Sequence, residues 1–193
     1  LLSSKGVFIF EEPYLGSMFE KVSYDQIYDE HIFIFSLSAV KKIFDKFDME
    51  LIDALLQVTH GGSMRYIVSR KKKKGINSQL SIMLDKEKRD DIDNINSCIK
   101  FKNNCESSKN KLKRQIVNYK NKKKRLCGYA ATSKSATVLN YCQIGPNDID
   151  YICDTTDEKI GKFSPGMHIP IVSHQKFRED NPDIAFLFAW NHK

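Results

Sequence analysis

Residues 125–154 read RLCGYAATSKSATVLNYCQIGPNDIDYICD. A short apolar run, a cluster of small residues, a helical pattern and a second apolar run follow one another, which predicts a strand over 125–131, a tight turn, a helix over 134–143 and a strand over 149–154. Strand, turn, helix, strand is the βαβ order of a parallel sheet with helices on its faces. Further downstream, a short strand at 168–172, a helix from about 173 and a last strand at 184–190 extend the pattern. The chain therefore reads as α/β, with residues 125–193 as a small Rossmann-like domain.

The turn Gly128-Tyr129-Ala130-Ala131-Thr132-Ser133-Lys134-Ser135 lies where backbone N–H groups and a helix dipole can hold a phosphate, and Lys134 adds charge. Neither GxGxxG nor the Walker pattern is present, so a plain tight turn fits the spacing at least as well. Asp154, closing the second strand, stands where an acid can meet a ribose hydroxyl or can cap the following loop.

Upstream, residues 71–124 have no proline and no strand alternation, while Ile92, Ile95, Ile99, Ile116 and Val117 fall at loose helical intervals. One or two charged helices are expected there. Residues 1–70 read as a strand at 6–12 ending in the acidic pair Glu11 and Glu12, with Pro13 blocking its continuation within a sheet, then an acidic loop. A helix capped by Ser36 or Ser38 follows, with its apolar positions Leu37, Val40, Ile43, Phe44 and Phe47 set to pack on a sheet. Strands at 49–58 and 63–69 are joined by the turn Thr59-His60-Gly61-Gly62. The expected divisions are thus 1–70, 71–124 and 125–193.

The net charge of +7 invites a nucleic-acid partner, but its distribution argues against one. Residues 71–125 hold 18 Lys or Arg against 6 Asp or Glu, so the excess belongs to one connector and the rest of the chain is net acidic. That connector is rich in Lys, Asn and Ser and poor in Arg, Gly and aromatics, whereas base readers use Arg forks and stacking rings. A solvated charge run is the better reading. Five cysteines with no CxxC pair suggest reduced structural thiols and no metal site. No stretch approaches a membrane span and no signal peptide is evident, so a soluble, cytoplasmic protein is expected. The chain opens without methionine and runs at once into Val7-Phe-Ile-Phe, which reads as the later part of a longer protein.

Chemistry concentrates in Tyr24-Asp-Gln-Ile-Tyr-Asp-Glu-His31, which sets Tyr28, Asp29, Glu30 and His31 side by side before an apolar run. A histidine beside a carboxylate can serve as a general base near neutral pH. A hydrated loop with a hydrogen-bonded histidine is the simpler reading of these residues by themselves. His60-Gly-Gly-Ser-Met-Arg65 offers an imidazole, flexible backbone, a hydroxyl and a guanidinium, either as a hairpin or as a grip on ligand hydroxyls or phosphate. Pro165-Gly-Met-His-Ile-Pro170 reads first as a rigid turn.

Together these stretches resemble the carboxy-terminal half of the sugar C-methyltransferase family, whose members methylate a carbon of a nucleotide-activated keto-deoxysugar. The resemblance rests on VFIFEEPYL (7–15), YDQIYDEH (24–31), HGGSMR (60–65), GYAATSKSATVLNYC (128–142), PGMHIPI (165–171) and the closing AWN, in family order. It implies that 1–70 is the terminal part of a methyltransferase-type sheet. The zinc-binding amino-terminal domain and most of the S-adenosylmethionine site would lie upstream of this chain, leaving this part inactive by itself. It implies His31 as the base that removes the proton beside the sugar ketone, so that the enolate carbon attacks the sulfonium methyl. Tyr28 and Glu30 would orient His31, and Tyr14, His60, Gly62, Ser63, Arg65 and Lys134 would bind the nucleotide sugar in a cleft between the lobes. Where the family usually has glycine, Ala130 and Ser135 stand here, which weighs against phosphate contact by that turn.

Two readings stay open beside it: a non-catalytic nucleotide-sugar-binding or assembly module, and a methyltransferase acting on oxygen or nitrogen. An RNA-associated basic protein rests only on the connector.

Overall fold

A computed structural model describes residues 2–72 and 74–192. Strand β1 (Val7–Pro13) pairs antiparallel with β3 (Ser63–Arg70), and β3 with β2 (Met49–Gln57), giving the order β1-β3-β2. The register sets Glu11 opposite Arg65 and Pro13 opposite Ser63. As the last residue of an edge strand, Pro13 removes no ladder donor that the sheet needs.

Helix α1 (Leu15–Lys21), absent from the sequence expectation, follows directly and ends with Val22 in the left-handed region at φ 55°. Its seven residues are too few for periodicity to reveal. Helix α2 (Leu37–Asp45) begins where expected, because the Ser36 hydroxyl accepts the Ala39 N–H. Leu37 and Val40 enter a core with Leu51, Ala54, Met64, Tyr66, Val68 and Leu80, and Phe44 packs on its rim. Ile43 and Phe47 do not pack as expected: they are 41% and 71% exposed, and Phe47 lies beyond the helix, which ends at Asp45.

The charged stretch forms helices α3 (Ser78–Arg89) and α4 (Ile95–Asn121). Ile92 and Ile116 are buried while Ile95, Ile99 and Val117 are exposed, as suits such loose apolar spacing. Glu87 of α3 is buried because it caps α2: its carboxylate accepts the Leu37 N–H at 2.6 Å, the Ser38 N–H at 2.9 Å and the Ser38 hydroxyl at 2.8 Å.

The remaining strands, β4 (Leu126–Tyr129), β5 (Ile152–Asp154), β6 (Ile171–Ser173) and β7 (Ile184–Leu187), form an all-parallel sheet in the order β6-β5-β4-β7. Helix α5 (Ser133–Cys142) connects β4 to β5, and α6 (His174–Asp180) connects β6 to β7. Both faces are covered, as parallel strands require. Leu126, Leu139, Ile152, Ile169 and Phe188 pack with Ile116 in one layer, and Cys127, Tyr151 and Cys153 pack in another. Gly128 is required at the centre, because a Cβ there would lie 2.7 Å from the Phe188 ring. The chain order reverses between β5-β4 and β7, which makes the carboxyl end of β4 a switch point, the usual place for a ligand in an open α/β sheet.

By contacts the chain divides into two compact units, Leu1–Ser23 with His31–Asn103, and Tyr24–Glu30 with Asn104–Lys193. Composition suggests divisions at 70 and 124 instead. Contacts split α4 and join seven residues of the acidic loop to the parallel-sheet unit. The cysteines are free thiols, four of them buried, and burial holds Cys105 and Cys127 up at about 11. No helix among the described residues is long and apolar enough to cross a membrane.

Candidate active site

At the end of β4, Ala130 takes a positive φ of 74° and donates its N–H to the Cys153 carbonyl at 2.7 Å. The Ala131 N–H then meets Asp154 Oδ2 at 2.7 Å, and Thr132 opens α5 by accepting the Ser135 N–H. The Ser135 hydroxyl turns back to the Thr132 carbonyl at 2.6 Å. This tightly bonded turn forms one wall of a cavity of about 530 Å³, within the usual range for ligand pockets. Ala131, Thr132, Ser133, Ser135, Ala136 and Thr137 line that wall; Lys159, Lys162, Phe163, Ser164, Pro165 and Ile171 line another; Tyr28 and Asp29 complete it.

The lining mixes hydroxyls, two ammonium groups and apolar carbon. Lys159 donates to the Ala131 carbonyl at 2.8 Å and stands 3.6 Å from Asp154. Burial works to raise the Asp154 pKa, but the Thr156 and Ala131 N–H groups and Lys159 outweigh it and hold the carboxyl below its ordinary range. With both oxygens engaged by backbone N–H groups, Asp154 is a strut of the turn. Among the described residues, no group of three or more His, Cys, Asp or Glu is placed to hold a metal ion.

The acidic run reaches the cavity through its own anchors. Tyr24 packs on Tyr141 with centroids 5.0 Å apart, and its hydroxyl lies 3.5 Å from the Cys142 sulfur. The Thr137 hydroxyl donates to the Ile27 carbonyl at 3.0 Å. Asp25, buried, accepts from Lys134 at 3.2 Å and from the Trp190 indole at 3.0 Å. Tyr28 is half-buried, and burial first, then Glu30 and Asp25, raises its pKa. Glu30 is exposed and His31 half-buried.

Lys134 differs from expectation: it does not line the cavity that its helical neighbours line, because its ammonium turns inward to Asp25. The cations that line the cavity are Lys159 and Lys162, which nothing in their local sequence pattern marks.

In the other unit, Ser63 and Arg65 converge on Glu11. One Glu11 oxygen accepts the Ser63 and Thr59 hydroxyls, and the other accepts two Arg65 N–H groups at 2.9 and 3.2 Å. The Ser63 and Thr59 hydrogen bonds, with Arg65, hold the Glu11 carboxyl down at about 2. Glu11 could have been found from the β1–β3 register, which sets it opposite Arg65. His60 is exposed at φ 52°. Gly62 has φ 129°, and a Cβ there would lie 2.6 Å from the Ser17 side chain, so glycine is required for two reasons. Tyr14 precedes α1 half-buried, its phenol kept protonated by burial and by Glu87. The Pro165–Pro170 stretch is a turn held by Asn140, which donates to the Pro165 carbonyl at 3.0 Å.

The model of the C-methyltransferase C-terminal domain family matches residues 58–193. The C-methyltransferase NovU of Streptomyces niveus is 28% identical over all 193 residues of this chain, which spans 46% of that protein's length. With its parallel sheet and its collinear motifs, the chain belongs to the C-methyltransferase family, whose carboxy-terminal domain it carries.

Proposed function

We propose that this chain is the carboxy-terminal part of an S-adenosylmethionine-dependent C-methyltransferase acting on a nucleotide-activated keto-deoxysugar. The observation that carries the reading is the cavity of about 530 Å³ into which the run Tyr28-Asp29-Glu30-His31 delivers its first two side chains, in a chain matched by a C-methyltransferase family.

His31 accepts the proton from the carbon beside the sugar ketone; the electron pair of that C–H bond forms the enolate C=C bond, and the carbonyl π pair moves onto the ketone oxygen. Tyr28, held as a neutral phenol, donates a hydrogen bond to the developing oxyanion, and Glu30 orients the imidazole. S-adenosylmethionine, when bound, supplies the electrophilic methyl. Lys159 and Lys162 face the anionic part of the substrate in the cavity, and its hydroxyl-bearing wall suits a sugar or ribose. Within the other unit, Glu11 holds Ser63 and Arg65, which with Tyr14, His60 and Gly62 are the substrate-binding residues we propose for that unit.

The test uses the full-length protein with S-adenosylmethionine and a panel of 4-keto-deoxysugar nucleotides, following carbon methylation by mass spectrometry. His31→Ala should lower turnover by roughly 10²-fold or more. Undiminished turnover removes His31 from the mechanism, and transfer to oxygen or nitrogen alone refutes the reading.

A further inference from the structure

Lys134 is the one residue of the first turn of α5 that turns away from the cavity, and where it goes assigns it a different task. Its side chain and that of Asp25 are only 8% and 10% exposed. The ammonium lies 3.2 Å from Asp25 Oδ2, and the same oxygen accepts the Trp190 indole N–H at 3.0 Å. The Lys134 ammonium also lies 5.9 Å from the Trp190 ring centroid. One carboxylate oxygen therefore joins the Tyr24–Gln26 turn, helix α5 and the Trp190–His192 turn.

The geometry points to a positioning clamp: Asp25, Lys134 and Trp190 fix the placement of Tyr28 against α5, so that Lys134 acts on the reaction through the cavity wall and touches no substrate. Asp25 stands three residues before Tyr28, and Lys134 lies among Thr132, Ser133, Ser135 and Ala136; both neighbourhoods line the same cavity. The pair sits behind the two walls and sets their spacing. The Thr137 bond to the Ile27 carbonyl ties the same two elements a helical turn further on. Two charges buried together cost heavily unless each is satisfied, and removing one strands the other. This inference rests on the proposed function for its kinetic test, whereas its structural test is independent of it.

In the full-length enzyme, Lys134→Met and Asp25→Asn should each lower kcat by about 10-fold or more with KM for the sugar nucleotide changed by less than about threefold, because a displaced wall misplaces groups without deleting a contact. Lys134→Arg, which keeps the charge, should restore most of kcat. The double variant Asp25→Asn with Lys134→Met, which strands no charge, guards against misfolding of the single variants and should show the same kinetic split. In the 193-residue chain, amides of 24–30 should exchange about 10-fold faster in Lys134→Met while those of β2 and β3 keep their rates, and the emission of Trp190, the sole tryptophan, should shift to longer wavelength. A raised KM at unchanged kcat makes Lys134 a substrate contact and overturns the clamp, as does unchanged exchange and emission. If the wild-type enzyme fails to methylate any keto sugar while exchange and emission change as stated, the clamp stands and the functional reading falls.

Discussion

Asp154 Oδ2 accepts the Ala131 N–H at 2.7 Å, so the last residue of β5 holds the turn that follows β4. Its other oxygen accepts the Thr156 N–H at 2.8 Å, fixing the next loop as well. Asp154→Asn presents an NH₂ to one of these donors. It should lower stability to urea unfolding at pH 7 by about 1–3 kcal/mol, the cost of stranding a buried N–H. A neutral effect would mean that the two loops hold their places without the carboxylate.

Ala130 pays conformational energy for its φ of 74°, a region that a Cβ disfavours by roughly 1–2 kcal/mol. Its N–H bond to the Cys153 carbonyl and the neighbouring Asp154 strut impose the conformation. Ala130→Gly removes the strain but adds freedom to the unfolded chain, worth about 0.4–1 kcal/mol in the opposite direction. The net expectation is a gain of up to about 1 kcal/mol in urea unfolding. Loss of stability would show that the alanine methyl packs more favourably than its backbone angle costs.

Glu11 gives a pH signature to the antiparallel unit. Its carboxyl is lowered from 4.5 to about 2 by the Ser63 and Thr59 hydroxyls and by Arg65. A carboxyl depressed by folding contributes stability that is fully present above its unfolded pKa and is lost as pH falls through the folded value. Wild type should therefore exceed Glu11→Gln by about 1–2 kcal/mol above pH 5, after allowing for solvent screening of the Arg65 pair. The gap should close between about pH 4.5 and pH 2. A gap independent of pH would assign the difference to packing.

The parallel sheet was legible because its βαβ order, small-residue turn and helical period all agree, and strand ends shortened only by a few residues, as at Ile152–Asp154. The helix at Ser36 was legible through its cap. What local patterns could not carry were partners far apart in the chain. Glu87 reads as one more charge on a basic helix, yet it caps a helix 50 residues upstream. Lys134 reads as a phosphate ligand from its place after a strand, and only Asp25 and Trp190, 109 and 56 positions away, turn it inward. Tyr28 and His31 stand out in sequence because their chemistry is adjacent along the chain. Lys159 and Lys162 do not, because a lysine on a loop gains meaning only from the cavity it faces.

Tyr28 provides the sharpest kinetic test of how the cavity works. Burial raises its pKa, and Glu30 and Asp25 raise it further, so the phenol stays protonated throughout the neutral range and can donate a hydrogen bond but not remove a proton. Tyr28→Phe keeps the ring and deletes the donor. In the full-length enzyme kcat should fall by about 10²-fold, the usual scale for losing one donor to a developing oxyanion, with the pH profile of kcat/KM unchanged in shape. His31→Ala, by contrast, should remove most of the rate. If Tyr28→Phe instead abolished turnover while His31→Ala left it largely intact, the phenol would be the essential group and the imidazole its support.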